Sequence, residues 1–288
     1  MSAVVDVSGI PGWFQEADQR LFEHVLRGQQ QEPPGSLVEL GAYLGRSAAV
    51  IGGFRRPGEE LVVCDLFGDP APDGRNAAET ERDYATLTRE QFERYYLSVH
   101  DELPRVVQAP TCQIGEHVSA GSARFVHVDA SHHYRHVLGD LRAARRMLRP
   151  GGVVAFDDIR SEHTPGVAAA VWGGVATDGL RPFCISPCKL YACFDDPAPH
   201  VARLIGWLAE FDGLAWEVQE VAGGDLVRVR DRRVPAPRSP VEPAVRDLGQ
   251  RVDARFDRLE ALVRDRTAPH DPGGLRQRLR AVRGRPAG

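Results

Sequence analysis

Five short runs rich in β-branched residues alternate with helical stretches between residues 36 and 158, and this alternation limits the fold more than any other feature. The runs are SLVEL, LVVCDLF, RVVQAPT, ARFVHVD and GGVVAFDD. Strands separated by helices predict a parallel sheet with crossover helices on both faces. Runs that are apolar nearly throughout are typical of strands covered on both sides. The sequence therefore predicts an α/β fold with a doubly wound, Rossmann-like sheet.

Further strands are expected after this core. The runs RPFCIS, KLYACF, WEVQEV and DLVRVR follow closely around a helix near residues 199–211, with Gly223-Gly224 as a turn between the last two. Closely spaced strands joined by such a turn predict an antiparallel edge to the mostly parallel sheet. At the other end of the chain, Pro33-Pro34-Gly35 breaks a helical pattern that has Pro11 near its start. That pattern is formed by Trp13, Phe14, Ala17, Leu21, Val25 and Leu26.

The chain is predicted to consist of one domain and an appendage. The domain covers residues 1–233 and contains an insertion at 66–103, which either covers a ligand as a lid or is a surface excursion. Residues 234–243, VPAPRSPVEP, are predicted to form a stiff linker. Apolar residues spaced by three and four then predict a coiled-coil helix at 244–266, through which the chain would form a homo-oligomer. The Arg-, Pro- and Gly-rich tail at 267–288 is predicted to be disordered.

Composition limits the kinds of partner. The 288 residues carry a formal net charge of -4, which argues against a main role in neutralising nucleic-acid phosphates or anionic lipid. The N-terminus lacks a signal-peptide pattern, and no apolar stretch is long enough for a membrane span. We therefore expect a cytoplasmic protein that acts on small molecules. Five cysteines without a C-x-x-C pair support neither a disulfide framework nor a zinc site.

A first candidate site lies at the end of the first strand. Glu39 ends that strand, Gly41 and Gly45 occupy the following turn, and a helix begins near Ser47. Glycines there let a ligand lie against the backbone. The pattern is not G-x-G-x-x-G, and an acid at the strand end repels a pyrophosphate but can pair with the amino group of S-adenosylmethionine. Asp65, which closes the second strand, is placed to accept hydrogen bonds from both ribose hydroxyls.

A second candidate site consists of three carboxylates. Asp129 ends one strand, and Asp157 and Asp158 end the next. Because consecutive strands of such a sheet are commonly neighbours, these acids are expected at the same carboxyl edge. Their mutual repulsion would leave one of them protonated unless a divalent cation such as Mg²⁺ compensates. We interpret the cluster as a metal site, with one or two acids capping helices or binding the backbone as the alternative.

Two histidines follow Asp129 in a turn that opens onto this edge. His132 or His133 is a candidate base for a substrate hydroxyl, because histidine titrates near neutral pH. A metal bound to that hydroxyl would lower its pKa. The neighbouring His127 and His136 are interpreted as structural or exposed.

With these residues, the chain resembles the class I S-adenosylmethionine-dependent methyltransferases, in particular the metal-dependent small-molecule O-methyltransferases that include macrolide-sugar enzymes. The first motif of that group matches VELGAYLGRS. Its D-G-x-H-x-Y signature corresponds to residues 129–134, where Ala130 replaces the glycine, and its P-G-G-x-x-x-x-D-D signature corresponds to residues 150–158. The resemblance implies that the three aspartates bind metal and that His132 is the base. The residues that it implies for donor binding are Glu39, Gly41, Tyr43, Gly45, Ser47, Asp65 and, for adenine, Thr111.

The predicted function is methyl transfer from S-adenosylmethionine to a hydroxyl of a small molecule such as a sugar or secondary metabolite, assisted by Mg²⁺ or another divalent cation. Two alternatives remain open. The first is a non-catalytic binding or scaffold protein of the same fold, and the second is a nicotinamide-dependent oxidoreductase, which the absent G-x-G-x-x-G disfavours. Aromatic residues near 92–96 and Trp172 are candidates for an acceptor pocket and equally for the core.

Overall fold

A computed structural model describes residues 5–84 and 86–232, and within these ranges nine strands form one sheet. The strands are β1 (Ser36–Leu40), β2 (Leu61–Asp65), β3 (Arg105–Gln108), β4 (Ala123–Val128), β5 (Leu148–Phe156), β6 (Arg181–Ile185), β7 (Leu190–Cys193), β8 (Leu214–Val221) and β9 (Gly224–Asp231). Their order in the sheet is β3-β2-β1-β4-β5-β7-β6-β9-β8. The first five in that order are parallel, which confirms the predicted doubly wound sheet.

The chain reverses its direction of travel across the sheet at β1. It runs outward from β1 through β2 to β3, and then returns to place β4 on the other side of β1. In open α/β sheets, ligands bind at the carboxyl ends of the strands where the order reverses in this way. A ligand site is therefore expected at the carboxyl ends of β1 and β4.

The expected antiparallel edge is present. β7 pairs antiparallel with β5, and β8 and β9 form a hairpin. The hairpin turn is one residue earlier than predicted: Ala222 and Gly223 have φ values of 53° and 75°, whereas Gly224 already pairs within β9. Two consecutive positive φ values are the geometry that a two-residue hairpin of this twist requires.

Seven α-helices lie within the described ranges. They are α1 (Glu16–Gly28), α2 (Arg46–Gly52), α3 (Gly74–Asp83), α4 (Arg89–Leu97), α5 (Tyr134–Met147), α6 (Pro165–Thr177) and α7 (Ala198–Glu210). α1 begins later than its apolar spacing suggested, because Gln15 is extended at the N-cap and the acidic Glu16 and Asp18 follow in the first turn, where the helix dipole favours them. Trp13 therefore precedes the helix and is 77% exposed.

The insertion after β2 packs into the core through its second helix. α4 begins with the predicted capping box, in which Thr88 Oγ1 accepts from the Gln91 amide and the Gln91 side chain accepts from the Thr88 amide. Phe92 is fully buried, and a Cβ placed on Gly45 would lie 2.8 Å from its ring. Phe92 thus packs directly behind the glycine turn that follows β1. A role of the insertion as a lid remains a prediction.

Three of the predicted segments lie outside the described residues: the linker at 234–243, the coiled-coil helix at 244–266 with its homo-oligomer, and the tail at 267–288. Among the described residues, no helix combines the length and apolar character that crossing a membrane requires.

Candidate active site

The ends of β1, β4 and β5 meet at one edge of the sheet. Leu40 is in register with Val128, and Val128 with Phe156. The backbone pairing continues one residue further, since the Asp129 amide donates to the Leu40 carbonyl at 2.8 Å and the Asp157 amide to the Val128 carbonyl at 3.0 Å. The predicted convergence of the strand-end acids is therefore what the structure shows. The three aspartates border a pocket that is lined by Val128, Asp129, Ala130, Ser131, His132, Val137, Phe156, Asp157, Asp158 and Val167.

The glycine turn after β1 lies directly against Asp129. Gly41 has a φ of 81°, and a Cβ there would lie 2.0 Å from the carbonyl oxygen of Asp129. Only glycine fits both this φ and this close approach of two backbones. Tyr43 and Gly45 also have positive φ values, 50° and 89°. The turn thus places the start of α2 beside the end of β4.

Asp65 at the end of β2 is bound by backbone amides. Its Oδ2 accepts from Ala42 N at 2.6 Å and from Tyr43 N at 3.1 Å, and its Oδ1 accepts from Phe67 N at 2.8 Å. Burial raises the pKa of Asp65, although these three amides oppose the change. A carboxylate has about four acceptor positions, so little capacity remains for ribose hydroxyls. Asp65 therefore fixes the glycine turn, and its contact with ribose remains a prediction.

Glu39 lies beneath the turn rather than on its surface. It is fully buried; its Oε1 accepts from Ser47 Oγ at 2.5 Å and contacts His127 Nδ1 at 2.8 Å. Burial raises the pKa of Glu39 to about 8. Its other oxygen, Oε2, is buried and accepts no hydrogen bond from the described protein atoms. The predicted pairing of Glu39 with an amino group would have to use this atom.

Thr111 opens a short 3-10 helix, Thr111–Glu116, that follows β3. Its side chain hydrogen-bonds to Asp140 of α5, which is 2% exposed and whose pKa burial raises to about 7. Asp140 could not be singled out from the sequence, because the pattern of α5 is that of an ordinary amphipathic helix. The assignment of Thr111 to adenine remains a prediction.

Asp158 and His132 form a hydrogen-bonded pair in the pocket. His132 Nε2 lies 3.0 Å from Asp158 Oδ2, and Ser161 Oγ donates to Asp158 Oδ1 at 2.6 Å. The hydrogen bond from His132 is the main reason that the pKa of Asp158 falls to about 2. His133, by contrast, is the N-cap residue of α5. His132, one of the two histidines that the sequence left open, thus contacts the Asp158 carboxylate.

The other two aspartates face a side chain that the sequence analysis missed. Lys189 is 1% exposed, and its Nζ pairs with Asp157 Oδ2 and lies 3.8 Å from Asp129 Oδ2. Burial alone would lower the pKa of Lys189, but the carboxylates of Asp157 and Asp129 outweigh it and raise the pKa. Burial and the neighbouring Asp157 raise the pKa of Asp129 well above its ordinary value.

This arrangement does not fit a divalent cation held by all three aspartates. Asp158 is turned toward His132, and the Lys189 ammonium lies between the other two. The ligand atoms that do approach one another, from His127, Asp129 and Asp157, lie within 4.8 Å of each other. Those atoms surround the ammonium as well. The metal site thus remains a prediction, and Lys189 competes with it for the same carboxylates.

Comparison with known proteins finds a family model that is similar to the central part of the chain. A family model described as a methyltransferase domain matches residues 38–159. This range contains the glycine turn, Asp65, the three aspartates and His132, but it ends before Lys189. No curated protein sequence matches the chain.

Solved structures with a similar fold include the O-methyltransferase NovP, with 19% identity, 61% of this chain and 79% of NovP covered, and a TM-score of 0.50. They also include CalS11, described as a TDP-rhamnose 3'-O-methyltransferase of calicheamicin biosynthesis, with 18% identity, 63% of this chain and 82% of CalS11 covered, and a TM-score of 0.44. At this identity, the likeness to NovP concerns the fold alone.

Proposed function

We propose that this chain is an S-adenosylmethionine-dependent methyltransferase and that it methylates a hydroxyl oxygen of a small molecule such as a sugar or a secondary metabolite; the match of residues 38–159 to a methyltransferase domain supports the first part. The observation that carries the proposal is the His132–Asp158 pair, which borders the pocket at the ends of β4 and β5. A histidine oriented by a carboxylate can remove a hydroxyl proton from a substrate within hydrogen-bond reach. The glycine turn, where the donor is proposed to lie, is close to this pair.

The donor is proposed to lie along the turn between β1 and α2. Gly41 and Gly45 let a ligand approach the backbone there, and Asp65 fixes the turn through its amides. In the proposal, Asp65 also contacts the ribose, and Glu39 meets the donor's amino group through Oε2. The remaining contacts proposed for the donor are those of Tyr43, Ser47 and Thr111.

When bound, S-adenosylmethionine would supply a methyl group from a positively charged sulfonium to the acceptor oxygen, and the electron pair of the broken carbon–sulfur bond would stay on sulfur. His132 accepts the hydroxyl proton. Its Nε2 lies 3.0 Å from Asp158 Oδ2, so the imidazolium that forms donates to this carboxylate. Because the pKa of Asp158 is about 2, the carboxylate remains ionised and stabilises the resulting imidazolium. Alignment of the two reactants accounts for much of the remaining acceleration.

Donor binding tests the first half of the proposal. Calorimetric titration of the full chain with S-adenosylmethionine should give saturable binding, whereas NAD should give none. Hydroxylated sugars and secondary metabolites, incubated with the protein and isotopically labelled donor, should then be screened for the mass of one added methyl group. Binding of NAD instead of S-adenosylmethionine would refute the proposed donor.

The role of His132 is tested by His132→Gln, with His163→Gln as the matched control. Loss of a positioned base lowers kcat by about 10²–10⁴-fold, and we expect a drop in this range for His132→Gln, with donor affinity unchanged. His163 is exposed, and its ring centroid lies 6.3 Å from that of His132, so His163→Gln should keep nearly full activity. Equal losses in the two variants would exclude His132 as the base.

A further inference from the structure

A buried lysine sits where the strand-end acids converge. Lys189 ends the turn between β6 and β7: its amide donates to Ser186 Oγ at 2.8 Å, and its carbonyl accepts from the Ser186 amide at 2.9 Å. Leu190, the next residue, is in register with Phe156 of β5. This pairing brings Lys189 beside Asp157, which immediately follows Phe156.

The groups around the Lys189 ammonium stabilise its positive charge. Nζ pairs with Asp157, lies 3.8 Å from Asp129 Oδ2 and is 3.0 Å from His127 Nε2. The ring centroids of Phe14 and Phe22 lie 5.5 Å and 5.9 Å away, within the range of cation–π attraction. A buried cation is stable only when it is paired and hydrogen-bonded in this manner.

The same contacts occupy the atoms that a metal would need. An ammonium carries only donors, so His127 Nε2 accepts from Lys189, and Nδ1–H then donates to Glu39. His127 Nε2 is therefore engaged, and Asp157 Oδ2 already pairs with the ammonium. A divalent ion between Asp129 and Asp157 would also sit next to the ammonium, where the repulsion of like charges in a buried site is strong.

We infer that Lys189 is the resident cation of the strand-end cluster, and that this chain holds Asp129 and Asp157 with an ammonium instead of a divalent metal ion. Lys189 is a positioning residue: it fixes the two carboxylates and, through His127 and Glu39, reaches Ser47 in the first turn of α2. The link to methyl transfer rests on the proposed function, whereas the occupancy of the cluster does not.

The test is a titration of the full chain with Mn²⁺, followed by the paramagnetic resonance of free Mn²⁺, with and without S-adenosylmethionine. The wild-type protein should bind no stoichiometric Mn²⁺ up to millimolar concentration. Lys189→Ala, which removes the ammonium and opens space, should bind one Mn²⁺ per chain at least about tenfold more tightly than the wild type. Adding Asp157→Asn to that variant should abolish the binding.

Stoichiometric Mn²⁺ binding by the wild-type protein that Asp157→Asn removes would overturn the inference, whether or not Lys189→Ala folds. Turnover that chelator stops and Mg²⁺ restores would overturn it too, while leaving the proposed function intact. Conversely, a wild-type protein that binds neither Mn²⁺ nor S-adenosylmethionine would refute the proposed function and support Lys189 as the cation.

Discussion

Glu39→Gln tests the electrostatics beneath the glycine turn. Glu39 is fully buried, and burial raises its pKa from an ordinary value of 4.5 to about 8. Below about pH 4.5 the carboxyl group is protonated in both the folded and the unfolded chain. Between about pH 4.5 and 8 the unfolded chain releases the proton while the folded chain keeps it, so the free energy of unfolding falls as the pH rises. Glutamine has no proton to release and lacks this dependence.

The size of the effect follows from the pKa. At about 1.4 kcal/mol for each tenfold change in proton affinity, the change from 4.5 to about 8 corresponds to about 5 kcal/mol. Near pH 4.5 the variant should be about as stable as the wild type, because a neutral glutamine has nearly the shape of a protonated glutamate. By about pH 8.5, the stability of the variant relative to wild type should have risen by up to about 5 kcal/mol.

Guanidinium denaturation of both proteins at about pH 5, 6.5 and 8.5 measures this difference. Glu16→Gln is the matched control, because the Glu16 side chain is 80% exposed and stays in water in the folded state. A difference between wild type and Glu39→Gln that stays constant across these pH values would refute the reasoning. A difference that grows in favour of the wild type at high pH would refute its sign.

Two further predictions concern the turn and the base. Gly41→Ala should lower the free energy of unfolding by more than the roughly 1–2 kcal/mol that a left-handed alanine costs, because its Cβ would lie 2.0 Å from the Asp129 carbonyl oxygen. The same clash should weaken binding of S-adenosylmethionine. Gly58→Ala is the control, since Gly58 has the same φ of 81° with open space around it and should show the backbone cost alone. Calorimetry and denaturation measure both, and equal losses would contradict the close approach. Asp158→Asn should lower kcat about 10²–10⁴-fold with little change in KM, because His132 loses the carboxylate that orients its ring and stabilises its protonated form. A rise in KM alone would count against this role.

Much of the sheet and of its functional edge was predictable because their signals are local. The apolar runs of β1, β2, β4 and β5 and the acids at their ends lie in continuous segments, and parallel neighbours bring those ends together by geometry. The extra roles of the acids were not predictable. Asp65 looked free to bind a ribose, yet it accepts three backbone amides, because a strand-end carboxylate meets whichever donors the adjoining turn presents.

The contacts of Lys189 could not be predicted from the sequence. A cluster of carboxylates in a sequence indicates that positive charge is needed nearby, but it carries no information on whether a metal ion or an ammonium provides that charge. The distinction depends on the pairing of β7 with β5, which brings Lys189 to His127 across 62 residues of chain. The glycine turn, His132 and the three aspartates are contained in residues 38–159, and Lys189 lies beyond that range. Two chains that share those motifs can therefore differ in their metal requirement through one residue of a hairpin that the motifs do not include.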